Sequence, residues 1–182
     1  MKIIKLLILL LVACSLSAKA GVVKISGSLK QFGLDRVSMN SDGIAAEVYH
    51  DRTIEIILDS NGRFDLKLKL KQPAYYKVGH NTLYLTPGDD LEIIFNRNTT
   101  KTTFNGKGIE ANNYLRNSAK LSGWEIAKIG RELNEFGLPK EKVSFEVYRY
   151  KVDSIVDASL DALAHLTAVT PEFRELEQIR LE

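Results

Sequence analysis

Arg63-Phe64-Asp65-Leu66-Lys67-Leu68-Lys69-Leu70-Lys71 alternates strictly between charged and apolar side chains. Successive side chains of a β-strand point to opposite faces, so Phe64, Leu66, Leu68 and Leu70 share one face while Arg63, Asp65, Lys67, Lys69 and Lys71 share the other. One face is core and the other meets water. Burying each of the four apolar side chains is worth about 1.5–3 kcal/mol, and a one-residue slip would carry the charges inside, so the register is specified. The predicted partner is Thr53 to Leu58, with Ile54, Ile56 and Leu58 inward. Asp59-Ser60-Asn61-Gly62 joins the two as a hairpin, using residues that bond their own backbone or tolerate positive φ.

The same period of two extends in both directions. It predicts strands at Val22 to Leu29, Ile44 to His50, Ala74 to Gly79, Thr82 to Thr86, Leu91 to Asn96 and Thr102 to Asn105, about eight in all. Thr86-Pro87-Gly88-Asp89 carries Pro and Gly where a type II turn needs them and is read as a second hairpin. Residues 22–106 are thus expected to form an antiparallel β-sandwich, with an open barrel as the competing closure.

After Gly106-Lys107-Gly108 the period becomes helical, and the fold class is α+β with three to four helices over 107–182. Ile109 to Leu121 is the first helix. Ile126, Ile129, Leu133 and Phe136 mark a second, ended by Gly137, and Pro139 opens the next. That third helix carries a stripe of Phe145, Tyr148, Val152, Ile155, Ala162, Leu166 and Val169. Thr170-Pro171-Glu172 starts the last one, with Thr as N-cap. Glu175 to Glu182 stops in mid-pattern without a cap, from which more chain, a C-terminal domain, is expected.

Composition narrows the function classes. The chain has 182 residues, 45% hydrophobic and 26% charged, which excludes disorder, collagen and a polytopic membrane protein. Residues 1–20 read as an export signal, with Lys2 and Lys5 before an apolar run over Leu6 to Ala13 that is too short to span a bilayer. Two processing sites compete: Ala18-Lys19-Ala20 is a small-x-small cleavage site, and Leu11-Val12-Ala13-Cys14 resembles a bacterial lipobox. Lipidation of Cys14 would tether the chain to a membrane, each buried CH₂ contributing about 0.8 kcal/mol. Either route ends in the cell envelope, periplasmic or membrane-anchored. Without Lys2 and Lys5 the basic and acidic residues are equal in number, so nucleic acid is not an expected partner.

Few residues suggest chemistry. Cys14 is the only cysteine, which leaves no Cys-x-x-Cys pair and no multi-cysteine zinc site. His50, His80 and His165 occur singly; a hydrolase would need two of them beside an acid. Asp89-Asp90 reads as a turn rather than a carboxylate pair, and Asp59, Asn61 and Asp65 as a hairpin rather than a calcium loop. Lys67, Lys69 and Lys71 could attract an anionic polymer but fit a guard against edge-to-edge pairing better. No catalytic, cofactor or metal residue is assigned. Tyr75, Tyr76 and Tyr84 are the candidate binding face: exposed, they could stack on a sugar or a partner protein, but they fit better as tyrosines that cover a sheet edge or pack under the helices with the hydroxyl at the surface.

Several segments in order carry a resemblance: Val23-Lys24-Ile25-Ser26-Gly27, Asp59-Ser60-Asn61-Gly62-Arg63-Phe64-Asp65-Leu66, Leu83-Tyr84-Leu85-Thr86-Pro87-Gly88-Asp89-Asp90-Leu91, Phe104 to Leu115, and Thr170-Pro171-Glu172-Phe173. Together the chain resembles the N-terminal domain, of unassigned function, that precedes the thioredoxin domain in TlpA/ResA-like bacterial envelope proteins. The resemblance implies a non-catalytic accessory or binding domain that positions a redox domain or its client. The family's thiol-disulfide chemistry would reside in that following domain, which these residues do not contain. The alternative is a stand-alone surface lipoprotein that binds a glycan or peptide.

Overall fold

A computed structural model describes residues 20–42, 53–118, 131–133, 139–142 and 144–181. The strands are β1 (Gly21–Ser28), β2 (Arg36–Asp42), β3 (Ile54–Ile57), β4 (Arg63–Leu70), β5 (Ala74–Val78), β6 (Asn81–Leu85), β7 (Asp90–Ile94), β8 (Thr103–Lys107), β9 (Arg131–Leu133) and β10 (Pro139–Lys142). The helices are α1 (Ile109–Asn117), α2 (Phe145–Ala164) and α3 (Pro171–Leu181). Two four-stranded sheets, ordered β4-β1-β7-β8 and β3-β2-β5-β6, form an α+β sandwich, and β9 pairs separately with β10. Within the two large sheets every pairing is antiparallel except β1 with β7, which is parallel.

The decisive strand behaves as its alternation requires. In β4, Phe64 and Leu70 are buried and Leu66 and Leu68 pack against the same core, while Arg63, Asp65, Lys67 and Lys69 are exposed. The core lies between the sheets, where Val23, Ile25, Leu91 and Ile93 of one meet Met39, Ile56, Tyr76, Val78, Leu83 and Leu85 of the other. Ile56 and Leu58 face inward as predicted, and Ile54 is half-buried against the same cluster. As β4 is an outer strand of its sheet, its lysine row lies where guards against intermolecular pairing belong.

Both predicted hairpins are something else. β3 pairs with β2 and β4 with β1, so Asp59-Ser60-Asn61-Gly62 carries the chain from one sheet to the other. Its local chemistry is the expected one: the Asp59 carboxylate accepts from the Asn61 and Arg63 N–H groups, each at 2.8 Å, and Gly62 has φ +70°. Thr86-Pro87-Gly88-Asp89 likewise crosses between β6 and β7. Its ends are joined by Asp89 N–H to Thr86 C=O at 3.0 Å, with Gly88 at φ +91° as a type II turn requires. Turn chemistry sets the reversal of the chain but not which sheet receives it.

Other expectations divide. Strand β2 was not anticipated, and the predicted strand Ile44 to His50 lies outside the described residues. Within the predicted second helix, Arg131–Leu133 is a strand, and Pro139 begins β10 rather than a helix. The long helix starts later, at Phe145, where the Ser144 hydroxyl accepts from the Val147 N–H. The last helix begins as read, with Thr170 Oγ1 accepting from the Phe173 N–H at 3.2 Å. Among the described residues no helix is long and apolar enough to cross a membrane.

Candidate functional site

The three helices gather over the outer face of β5 and β6. Tyr75 and Tyr84 stand opposite each other on these strands, and their rings lie 4.9 Å apart. Phe173 of α3 sits against both, 4.7 Å from the Tyr84 ring and 6.5 Å from that of Tyr75, and meets Tyr114 of α1 edge-on at 5.8 Å. Ala111, Leu115 and Leu163 complete this second core. Tyr76 points the opposite way, into the sandwich. Tyr75, Tyr76 and Tyr84 therefore form no common exposed face: strand alternation sends Tyr76 to the other side, and the remaining two pack under the helices, the favoured of the two readings.

At the heart of this layer Glu177 of α3 is fully buried, with 0% exposure. Its Oε1 accepts from the Tyr75 hydroxyl at 2.8 Å and from Arg180 Nε at 3.1 Å, and its Oε2 accepts from Arg180 Nε at 3.0 Å and a terminal guanidinium nitrogen at 2.6 Å. Arg180 also donates to the Ser118 hydroxyl at the end of α1. Burial alone would weaken the guanidinium's hold on its proton, but its hydrogen bonds to Glu177 and that carboxylate's field outweigh this and raise its pKa. The cluster clasps α3 to the sheet and to α1. Every oxygen of Glu177 is engaged and none reaches solvent, so the group fixes position rather than reacting with a substrate.

The tyrosines of the clasp titrate late. Burial pushes Tyr75 and Tyr84 above the ordinary tyrosine range, Glu177 adding to the effect at Tyr75, and burial pushes Tyr114 up to about 12. Unfolded tyrosine titrates near about 10, so the stability held in these neutral hydroxyls is complete below that pH and is lost as pH rises through the folded-state values. Tyrosinate absorbance in an alkaline titration is expected to show Tyr75, Tyr84 and Tyr114 ionising above the ordinary tyrosine range, together with loss of the helical signal. A single smooth titration of all seven tyrosines at the ordinary pH, with the helices intact, contradicts the buried clasp.

A second polar device seats α1. Asn112, fully buried, accepts from the Tyr84 N–H at 3.0 Å and donates to the Tyr84 C=O at 2.9 Å and the Gly108 C=O at 2.9 Å. β6 is an outer strand, and this carboxamide supplies the bonds that a neighbouring strand would. Asn112→Ala leaves both Tyr84 groups unpaired and is expected to cost about 1–3 kcal/mol in denaturant unfolding; a loss below about 0.5 kcal/mol would show that water replaces the carboxamide. Glu110 and Arg174 fix the corner between α2 and α3. The Glu110 carboxylate accepts from the Thr167 and Ala168 N–H groups, and Arg174 donates to the Leu163 and Leu166 carbonyls.

Between α1 and α2 lies an open cleft of about 870 Å³, lined by Ile109, Asn113, Tyr114, Ile155, Ala158 and Leu166 among others. Among the described residues, the ionisable groups that line it are Tyr114 and Glu110, the latter already committed to the corner. Among the described residues no three His, Cys, Asp or Glu side chains come together as metal ligands. His50 and Cys14 lie outside the described residues, and the His165 ring nitrogen Nδ1 lies 2.8 Å from the Asp161 carbonyl of its own helix. Asp89 is buried, accepts from the Thr86 N–H at 2.7 Å and has its pKa raised by that burial, while Asp90 points to solvent. No family, no curated protein and no solved structure was found to match the chain.

Sequence reading missed Glu177, Arg180 and Asn112. The signal was present for the first: Phe173, Glu177 and Leu181 fall at i, i+4 and i+8 on one stripe of α3, all buried, with Arg180 one turn from the acid.

Proposed function

We propose that this chain is a non-catalytic positioning module of an exported, envelope-associated thioredoxin-like protein, holding a redox domain or its client in a fixed place. The observation that carries the reading is the clasp on α3. A buried ion pair, a tyrosine hydroxyl and three aromatic rings hold the last helix against the sheet, which fixes the direction in which the chain runs at Leu181, itself buried. A module that presents a following domain needs such a seat, because a rigid exit raises the effective concentration of that domain near its target. The ordered segments that resemble the domain preceding thioredoxin in TlpA/ResA-like proteins support the same reading. The tether would be Cys14 if the lipobox is used, or none if cleavage follows Ala20.

The test is the intact mass of the protein isolated from its native envelope fraction. The expected mass exceeds that of these residues by a thioredoxin-sized domain of roughly 100 or more residues, and acyl chains on Cys14 would identify the lipoprotein route. A mass equal to Cys14 to Glu182 with acyl chains, or to Gly21 to Glu182 alone, overturns the positioning role and leaves the stand-alone lipoprotein binding a glycan or peptide.

A further inference from the structure

The exposed face of the β4-β1-β7-β8 sheet sorts its charges into rows. Pairing places Lys67, Lys24, Asp90 and Lys107 side by side across the four strands, with Lys69 and the exposed Val22 one step nearer the start of β1. The acids Asp65 and Glu92 lie in the next row, farther from that end, flanking Ser26. Lys24 and Lys67 are directly opposite each other, and like charges so placed cost stability rather than add to it. Only Lys24 has a carboxylate partner in the row, Asp90 at 3.5 Å, and both are more than half exposed. Lys107 donates to the Gly88 carbonyl at 3.1 Å, whereas Lys67 and Lys69 lie exposed on β4; lysines guarding an outer strand need not continue onto β1, an inner one.

The basic end is also the end where the chain enters the fold. Gly21 begins β1 opposite Leu70, and it lies seven positions after Cys14, with six residues between them, a reach of at most about 25 Å. We propose that this basic end, Lys24, Lys67, Lys69 and Lys107 around Val22, is the face that the chain lays against an anionic phospholipid surface. It rests on the envelope part of the reading above and not on any following domain. The cations meet headgroup phosphates, and Val22 offers an apolar side chain at the same level. Since the helices cover the outer face of the other sheet, this orientation points α1, α2 and α3 away from the bilayer.

The full chain with Cys14→Ser, which cannot be acylated, is floated with vesicles of phosphatidylcholine alone and with an equimolar phosphatidylcholine–phosphatidylglycerol mixture. The readout is the ratio of the two affinities, compared between parent and variants, which all carry the same leader with Lys2, Lys5 and Lys19 and so share its contribution. Binding to the anionic vesicles is expected to be stronger and to fall with salt. Lys24→Gln/Lys67→Gln/Lys69→Gln should lower that preference about a hundredfold, at about fivefold per lysine near a charged leaflet. Lys30→Gln/Arg97→Gln/Lys101→Gln, which removes the same charge at the opposite end of the sheet, should leave it in place. Absence of a preference, equal losses in both variants, or tighter binding to soluble polyphosphate than to vesicles at equal phosphate each overturns the proposal. A chain that passes here yet has the mass of this sequence alone keeps the docking face and loses the following domain; the converse pair of results does the reverse.

Discussion

Arg180→Ala is expected to destabilise the fold by about 3–5 kcal/mol, because it leaves the carboxylate of Glu177 buried without its countercharge. The asymmetry of the pair makes the prediction specific. Glu177 has 0% side-chain exposure and Arg180 has 36%, so the arginine can rehydrate if its partner is lost and the glutamate cannot. Glu177→Gln should therefore cost clearly less, since its amide oxygen still accepts from the Tyr75 hydroxyl. Arg180→Lys should recover part of the loss, restoring charge without the planar fork that reaches both oxygens. Denaturant unfolding of the four proteins gives the order, and an Arg180→Ala value within about 0.5 kcal/mol of the parent would show that α3 is not clasped in solution.

Phe173→Ala is the second large effect, at about 3–5 kcal/mol. The ring has 0% exposure and touches the rings of Tyr75, Tyr84 and Tyr114, so truncation opens a cavity at the junction of the sheet, α1 and α3. The sandwich core on the other side of β5 and β6 stays intact. The loss should therefore come with a local signature: Tyr75 and Tyr84 gain water and titrate closer to the ordinary tyrosine range, while the strand signal is kept. Phe173→Leu, which refills most of the volume, should cost less. Unchanged tyrosine titration in the alanine variant would mean that α3 does not shield the two rings.

The legibility of the fold varies with what each segment encodes locally. Strand β4 was readable to the residue because its two faces differ completely in chemistry. Strand β2, Arg36–Asp42, was not, since it turns only Val37 and Met39 inward and its other five residues are polar. The two turns were legible as turns, but whether a reversed chain pairs with its predecessor or crosses to another sheet depends on partners far along the sequence. The short strand at Arg131–Leu133 lies within apolar spacing that also suits a helix, a known ambiguity of short runs. For the site, the tyrosines stand out in the sequence, and Tyr75 and Tyr84 do pack under the helices; an exposed platform follows from a strand's two faces only when nothing covers the outer one. Glu177 and Arg180 carry no motif of their own, although the acid sits between Phe173 and Leu181 on the stripe that is buried.

The parallel pairing of β1 with β7 sets the order in which the molecule can be completed. Lys24 and its neighbour Asp90 are 66 residues apart, and β1 meets β4 only after β2 and β3 have gone to the other sheet. During synthesis from the N-terminus, the strand that becomes an inner member of its sheet thus waits with both edges open until most of the β half exists. Contacts of such long sequence separation carry a large closure entropy and fold slowly. A chain so wired stays threadable through a narrow passage while it is being made, and it locks only when its late strands arrive; the cost is a long interval in which β1 can pair with another copy instead of with β7.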